Sequence, residues 1–303
     1  MSNEVSTLNA NNFAAMAKAM GMAAEASSKQ NTSSLARLRI SHTPIMGQTE
    51  MKGKKVNVEV VPGGAYRLQI PDGPMYYATD VTIRPYMQRF MYKRFIKGVG
   101  DKPNKYVKTV MGDTLSIDLK DNEGGFNCGK PAGYIQDFQA LPKQTQDLIR
   151  TIKRVRVLFG VIEMHDVVDE NGESTELAPT PFIWEIDNKD AYKSFGDVFS
   201  KLAKQKRLPP MHNVTATTKE VPLPNGSSFF IPEVELNLTN TLDLGNPEQE
   251  TFTDFLNWIE NYNVYIINTW NEKAMAKPSD DDVSEDALND ILDIEMDEEE
   301  DAA

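Results

Sequence analysis

The sequence predicts a mainly β fold with added helices (α+β), and three observations lead to it. Residues 35–119 consist of short alternating or β-branched runs separated by Gly and Pro, the pattern of strands joined by turns. Two further apolar runs, 152–164 and 181–186, flank a turn at residues 169–172. Two later segments, 189–206 and 246–275, repeat apolar residues at spacings of three and four, as one face of a helix does.

Residues 1–34 are rich in Ala, Asn, Ser and Met and nearly free of charge, with only Phe13, Met16 and Met20 at helical spacing. They are expected to form a flexible N-terminal arm. The core is expected over 35–275, beginning with strands at 35–40, 55–61, 65–70, 76–96, 106–111 and 114–119. In the passage 123–143, Gly124, Gly125, Gly129, Pro131 and Gly133 exclude a long regular element. Asn188 caps a helix whose apolar face is Tyr192, Phe195, Val198, Phe199 and Leu202, and Pro209-Pro210 stop it. Residues 213–223 and 228–238 flank Asn225-Gly226 as a hairpin does. Asn246, Pro247 and Gln249 supply a cap, a first-turn proline and a capping-box return. The helix that follows lays Phe252, Phe255, Leu256, Ile259, Tyr262, Ile266 and Trp270 on the sheet and ends near Met275.

Charge is distributed unevenly. The 303 residues hold 32 Lys and Arg against 45 Asp and Glu, a net −13. Thirteen of the acids fall within 280–301, where there is no base, so the rest of the chain is formally neutral. Residues 276–303 are therefore expected to be a disordered acidic tail. Within it, Leu288, Ile291, Leu292, Ile294 and Met296 interrupt the acids. These residues suit a partner-binding motif that also competes with nucleic acid; the plainer alternative is a solvated tail with incidental apolar residues. The single cysteine, Cys128, excludes an intramolecular disulfide framework, and no basic-then-apolar leader opens the sequence, so a cytoplasmic setting is expected. No apolar run reaches the roughly 18 residues of a membrane span.

The densest chemical signal is residues 84–108, with eight bases, one acid and five aromatics. If this is a strand, its period of two aligns Arg84, Tyr86, Phe90, Tyr92 and Arg94 on one face. Arg89 and Lys93 then share the other face with Met87 and Met91. Lys97, Lys105, Tyr106 and Lys108 extend the patch, and Arg150, Lys153, Arg154 and Arg156 enter the next long strand. Aromatic rings beside cations suit splayed bases and their phosphates, each stacked base contributing about 1–3 kcal/mol whatever its identity. The competing reading is a strand whose rings fill the core while its charges snorkel to water. Catalytic signals are weak. Cys128, His42, His165 and His212 are dispersed and no Walker spacing occurs; an acidic pair such as Glu163 with Asp166 could hold magnesium, but ordinary hairpin ends look the same. No metal, cofactor or enzymatic activity is expected.

An arm, a strand-rich core with basic and aromatic patches (84–108 and 143–156) and an acidic tail (280–301) together resemble the replicative single-stranded DNA-binding, helix-destabilising proteins of tailed phages. The resemblance implies an OB-fold-like five-stranded barrel elaborated by long loops and the long C-terminal helix. It implies sequence-independent coating and protection of single-stranded DNA in replication, recombination and repair, in a host bacterial cytoplasm. It also implies recruitment of polymerase, helicase or primase by the tail, and self-association on DNA through the arm. The Cys/His zinc cluster that some of those proteins carry has no counterpart here. Two rivals stay open: an acidic-tailed protein-binding or DNA-mimic factor, and a metal-dependent nuclease acting through scattered acids.

Overall fold

A computed structural model describes residues 35–276 apart from 52–53, 99, 101–102, 225 and 227. The strands are β1 (Ala36–Ile40), β2 (Ile45–Met51), β3 (Lys54–Val61), β4 (Tyr66–Gln69), β5 (Met75–Ala78), β6 (Val81–Ile96) and β7 (Lys105–Lys108). They continue with β8 (Ile152–Met164), β9 (Thr180–Ile186), β10 (Val214–Pro222) and β11 (Ser228–Leu236). The helices are α1 (Lys143–Thr151), α2 (Lys189–Lys204) and α3 (Asn246–Ala276). The fold is thus mixed and mostly strand, as the sequence predicts. The arm 1–34 and the tail 277–303, including Leu288, Ile291, Leu292, Ile294 and Met296, lie outside the described residues.

A nine-stranded sheet runs in the order β11-β10-β6-β8-β9-β1-β4-β5, with β7 also on β6, while β2 and β3 form a separate hairpin. Every pairing in the large sheet is antiparallel except β1 with β9. The sheet does not close into a barrel among the described residues; its end strands, β11 and β5, are not paired with each other. It does curl. The Tyr66 hydroxyl donates to the Thr217 carbonyl at 3.0 Å and Thr218 Oγ1 donates to the Gly64 carbonyl at 2.8 Å. These bonds join β10 to the start of β4, although β6, β8, β9 and β1 lie between them in the sheet.

The inner face buries Leu38, Tyr66, Leu68, Ile83, Leu158, Ile162, Phe182 and Trp184, with Ala191 and Phe195 of α2 packed among them. Asn188 caps α2 as its sequence predicts, its side chain accepting from the N–H groups of Asp190 and Ala191. The outer face packs Tyr86, Met87, Met91, Val155, Val157, Phe159 and Ile183 against Phe255 and Ile259 of α3. The start of α3 differs by one residue from the predicted cap. Glu248, not Gln249, reaches back to a backbone N–H, that of Gly245 at 2.9 Å, and the Gln249 N–H bonds the Gly245 carbonyl.

Several local expectations change: the run read as one strand over 76–96 breaks into β5 and β6, and β2 forms where no strand is expected. Residues 114–119 do not form a strand: the segment 109–126 pairs only through isolated bridges such as Thr109↔Asp121 and Lys120↔Phe126. The buried Asp121 carboxylate organises it, accepting the N–H groups of Glu123, Gly125 and Cys128 at 2.9–3.1 Å. Those bonds satisfy backbone donors without a ladder. α1 adds a helix just before β8, where residues 144–151 carry no expectation from the sequence; its nine residues include Leu148 and Ile149 but bury none fully.

β6 and β8 pair along nearly their whole length, from Val81↔Met164 to Arg94↔Ile152, with Tyr86 left over as a bulge between Pro85 and Met87. Pro85 has no N–H for a ladder, so a bulge is where a central strand tolerates it. Opposite stands Gly160, where a Cβ would sit 2.6 Å from the Arg84 carbonyl oxygen and 3.3 Å from Pro85 Cα. Gly160→Ala should therefore force the two central strands apart and destabilise the protein by about 1–3 kcal/mol. Urea midpoints of the two proteins measure this, and an unchanged midpoint would show that the bulge absorbs the extra methyl.

Candidate nucleic-acid interface

The Tyr86 bulge breaks the alignment expected for residues 84–94. Arg84 and Tyr86 face α3; Phe90, Tyr92 and Arg94 face the other side, because each residue after the bulge is one step out of phase. Arg84 is a structural tie. Its Nε donates to the Pro210 carbonyl at 2.6 Å, its Nη2 to the Asp243 carbonyl at 2.7 Å, and its Nη1 pairs with Glu248 at 2.9 Å. The backbone N–H groups of Gly245 and Glu248, and then Arg84, hold the Glu248 carboxyl below its ordinary range. Tyr86 is buried edge-on against Phe255 at 5.4 Å. Tyr92 is buried too, its hydroxyl donating to the Leu115 carbonyl at 3.2 Å. Neither ring is open to a base. Arg94 is partly buried beside Cys128, with its Nε unpartnered. Phe90 and Arg156 line a separate inner pocket.

The other predicted bases remain at the surface in varying degree. Lys97, Lys153 and Arg154 are exposed, Arg150 pairs with Asp147 at 2.6 Å, and Arg89 sits 3.3 Å from Asp113. As expected, Arg89 and Lys93 share a face with Met87 and Met91. Lys105 pairs with Glu123 at 2.8 Å. Phe95 and Tyr106 are 46% and 52% exposed and meet at 5.0 Å between centroids, with Lys93 Nζ 5.1 Å from the Tyr106 ring. This exposed ring pair, flanked by Lys93, Lys97, Lys105 and Lys108, is the part of the predicted patch that keeps an exposed aromatic surface.

Beside it opens a cleft of about 490 Å³. β1 and β9 pair only at Ala36↔Phe182 and Arg37↔Ile183. Past that point the strands are not paired, and residues of both, Leu38 to Ile40 and Trp184 to Ile186, line the same space with Asp187 just beyond β9. Its cations are Arg37, Arg39, Arg67, Lys93 and Lys108, its acids Glu185 and Asp187, and its rings include Tyr106, Phe230 and Trp258. Arg37 and Arg39 are exposed and make no ion pair among the described residues. Trp258 stacks on Tyr262 at 5.7 Å and 7°, and its Nε1 is buried without a partner.

Arg37, Arg39 and Arg67 are the site residues that sequence reasoning missed. Their signal was present: Arg37 and Arg39 alternate with Leu38, and Arg67 alternates with Tyr66 and Leu68. What sequence spacing lacks is the pairing Arg39↔Arg67 that stacks them on one face.

Glu185 is the pivot of the cleft's electrostatics. Lys108 reaches it at 2.7 Å and Lys93 at 3.3 Å. Burial alone would raise its pKa, but the two ammonium groups outweigh burial and hold it below the usual carboxylate range. His42, at the cleft's edge, is held below its ordinary value by burial, which Asp187 opposes only in part, so it is neutral at pH 7. Among the described residues no group of three or more His, Cys, Asp or Glu is arranged to hold a metal ion, and no helix is long and apolar enough to cross a membrane.

A carboxylate with a depressed folded pKa stabilises the fold above its unfolded pKa, about 4.3 for Glu, and loses that contribution as pH falls through the folded value. Glu185→Gln should thus cost about 1–2 kcal/mol at neutral pH, and the two proteins should converge at acid pH below the folded pKa of Glu185. Denaturant midpoints across pH test this; a gap independent of pH would mean that the charge of Glu185 contributes nothing. No protein-family model, curated protein or solved structure matches this chain.

Proposed function

We propose that this chain binds single-stranded DNA without sequence preference, through the cleft between β1 and β9 and the exposed Phe95–Tyr106 pair at its lip. The observation that carries this reading is the pairing of five cations in the cleft with rings at its edge, two of those cations, Arg37 and Arg39, having no acidic partner among the described residues. Cations neutralise phosphates and release counterions, while an exposed ring stacks any base. Duplex DNA offers its phosphates but hides its base faces, so the rings favour the single strand.

Coating and protecting single strands during replication, recombination and repair, in a cytoplasmic setting, follows from the same proposal. An OB-like character belongs to it as well, and falls to the curled run β6-β8-β9-β1-β4, which leaves its barrel open. The acidic segment 280–301 competes with phosphate for the cleft, and its apolar residues recruit a replication partner such as a polymerase, helicase or primase. The arm links neighbouring copies along the strand.

Binding of oligo-dT should exceed binding of duplex of the same length and weaken with salt, with a log–log slope near −0.7 per phosphate contacted. The double variant Arg37→Ala/Arg39→Ala should reduce that slope by about 1.4 if each arginine meets one phosphate. Equal affinity for single and double strands, or an unchanged slope, overturns the proposal. Removing residues 280–303 should tighten oligo-dT binding at low salt and have less effect at high salt; unchanged affinity at low salt would dismiss the competition.

A further inference from the structure

A second cavity, of about 650 Å³, lies between β6, β8 and α2 and shares no lining residue with the cleft. At its wall stands Arg156, only 7% exposed. Its Nε donates to the Tyr192 carbonyl at 3.0 Å and its Nη1 donates to Gln88 Oε1. The guanidinium lies 4.4 Å from the Tyr192 ring centroid and 5.0 Å from that of Phe90. Both oxygen partners are neutral, and no carboxylate forms an ion pair with it among the described residues. A buried cation hydrogen-bonded only to neutral groups, with its nearest acid Asp197 forming no ion pair, is costly, because a buried charge ordinarily has a paired counter-charge. Burial lowers its pKa, and Tyr192 and Asp197 offset this only in part.

The remainder of the lining fits a missing anion. Lys193 and Arg207 add two cations against one acid, Asp197, and Phe199 adds a third ring to Phe90 and Tyr192. Gly196 keeps the approach to the guanidinium clear, since a Cβ there would come within 2.7 Å of Arg156 Nη2. The volume is that of a small-ligand pocket, in the range of about 300–1,000 Å³. A fork of N–H donors suits phosphate oxygens, and flat rings suit a base.

We propose that this cavity is a nucleotide site, taking a nucleoside 5′-phosphate whose phosphate meets Arg156, Lys193 and Arg207 and whose base lies on the aromatic wall. The site stands apart from strand binding in the cleft, so Arg37→Ala/Arg39→Ala leaves it intact. Two sources carry the same chemistry, a free mononucleotide and the 5′-phosphorylated end of a strand.

The full chain is titrated with dTMP, thymidine and inorganic phosphate, followed by calorimetry and thermal shift, and with 5′-phosphorylated and 5′-hydroxyl dT oligomers. Saturable binding of dTMP, tighter than that of phosphate or thymidine, is the expected result. Lys193→Glu, on the exposed rim, should weaken it about tenfold or more without lowering the melting temperature of the free protein. Arg156→Met should abolish it. Preference for the phosphorylated oligomer names a strand end as the source, and equal oligomer binding names the free nucleotide. Absence of dTMP binding, binding no tighter than that of phosphate alone, or binding unaffected by Lys193→Glu overturns the proposal.

Discussion

The β6–β8 ladder carries one residue more on β6 than on β8, and the placement of every charged side chain along β6 depends on it. Before Tyr86 the odd-numbered residues Val81 and Ile83 point inward; after it the even-numbered Gln88, Phe90 and Tyr92 do. Pro85, which has no N–H, and Gly160, which has no Cβ, are the local chemistry that admits the extra residue. The bulge lets Arg84 and Tyr86 join Met87 and Met91 on the side of α3. It also sends Phe90 and Tyr92 to the interior side and leaves Lys93 beside the cleft.

The outer helix is fixed in a way that depends on polar as much as apolar contacts. Phe255 and Ile259 pack on the sheet, but the C-terminal half of α3 is sewn to residues 109–125 by side chains bonding to backbone. The Tyr262 hydroxyl donates to the Thr109 carbonyl, Asn263 exchanges two bonds with Met111, and Trp270 Nε1 donates to the Gly125 carbonyl. These bonds hold the flanks of residues 114–119, and the backbone N–H and carbonyl of Leu119 bond Asn127 instead of a neighbouring strand. Glu123 joins the same seam to β7 by pairing with both Lys105 and Lys273. The lip of the cleft and the end of α3 therefore share one carboxylate.

What the sequence revealed and what it concealed divide along one physical line. Elements whose signal is local were legible: α2 with its Asn188 cap, the long β8 and its partner β9, the hairpin of β10 and β11, and α3 to within one residue at its start. What depends on partners distant in sequence was not. Period-two counting assumes an unbroken strand, so it aligned Arg84 and Tyr86 with Phe90 and Tyr92 across a bulge that only Gly160, seventy-odd residues later, makes possible. The same limit hid the cleft. Arg37, Arg39 and Arg67 are scattered bases in a list, and become a site only when β1 pairs with β4 on one side and stops pairing with β9 on the other.

The formal charge of −13 is a poor guide to the field that a ligand meets. Thirteen acids lie in one segment, and the neutral remainder is itself sorted. In the cleft, the cations fall into two kinds. Lys93 and Lys108 are already engaged with Glu185, so a phosphate that takes them must displace a carboxylate and gains only the difference. Among the described residues Arg37 and Arg39 meet no such competitor, so, apart from the competition proposed for the acidic segment, a phosphate there gains the full interaction less the cost of desolvation. On the proposed reading the two arginines therefore supply more of the affinity than the lysines, although the lysines belong to the denser basic stretch of sequence. Counting bases along the chain weights every cation equally, whereas the free energy of binding depends on what each cation must give up.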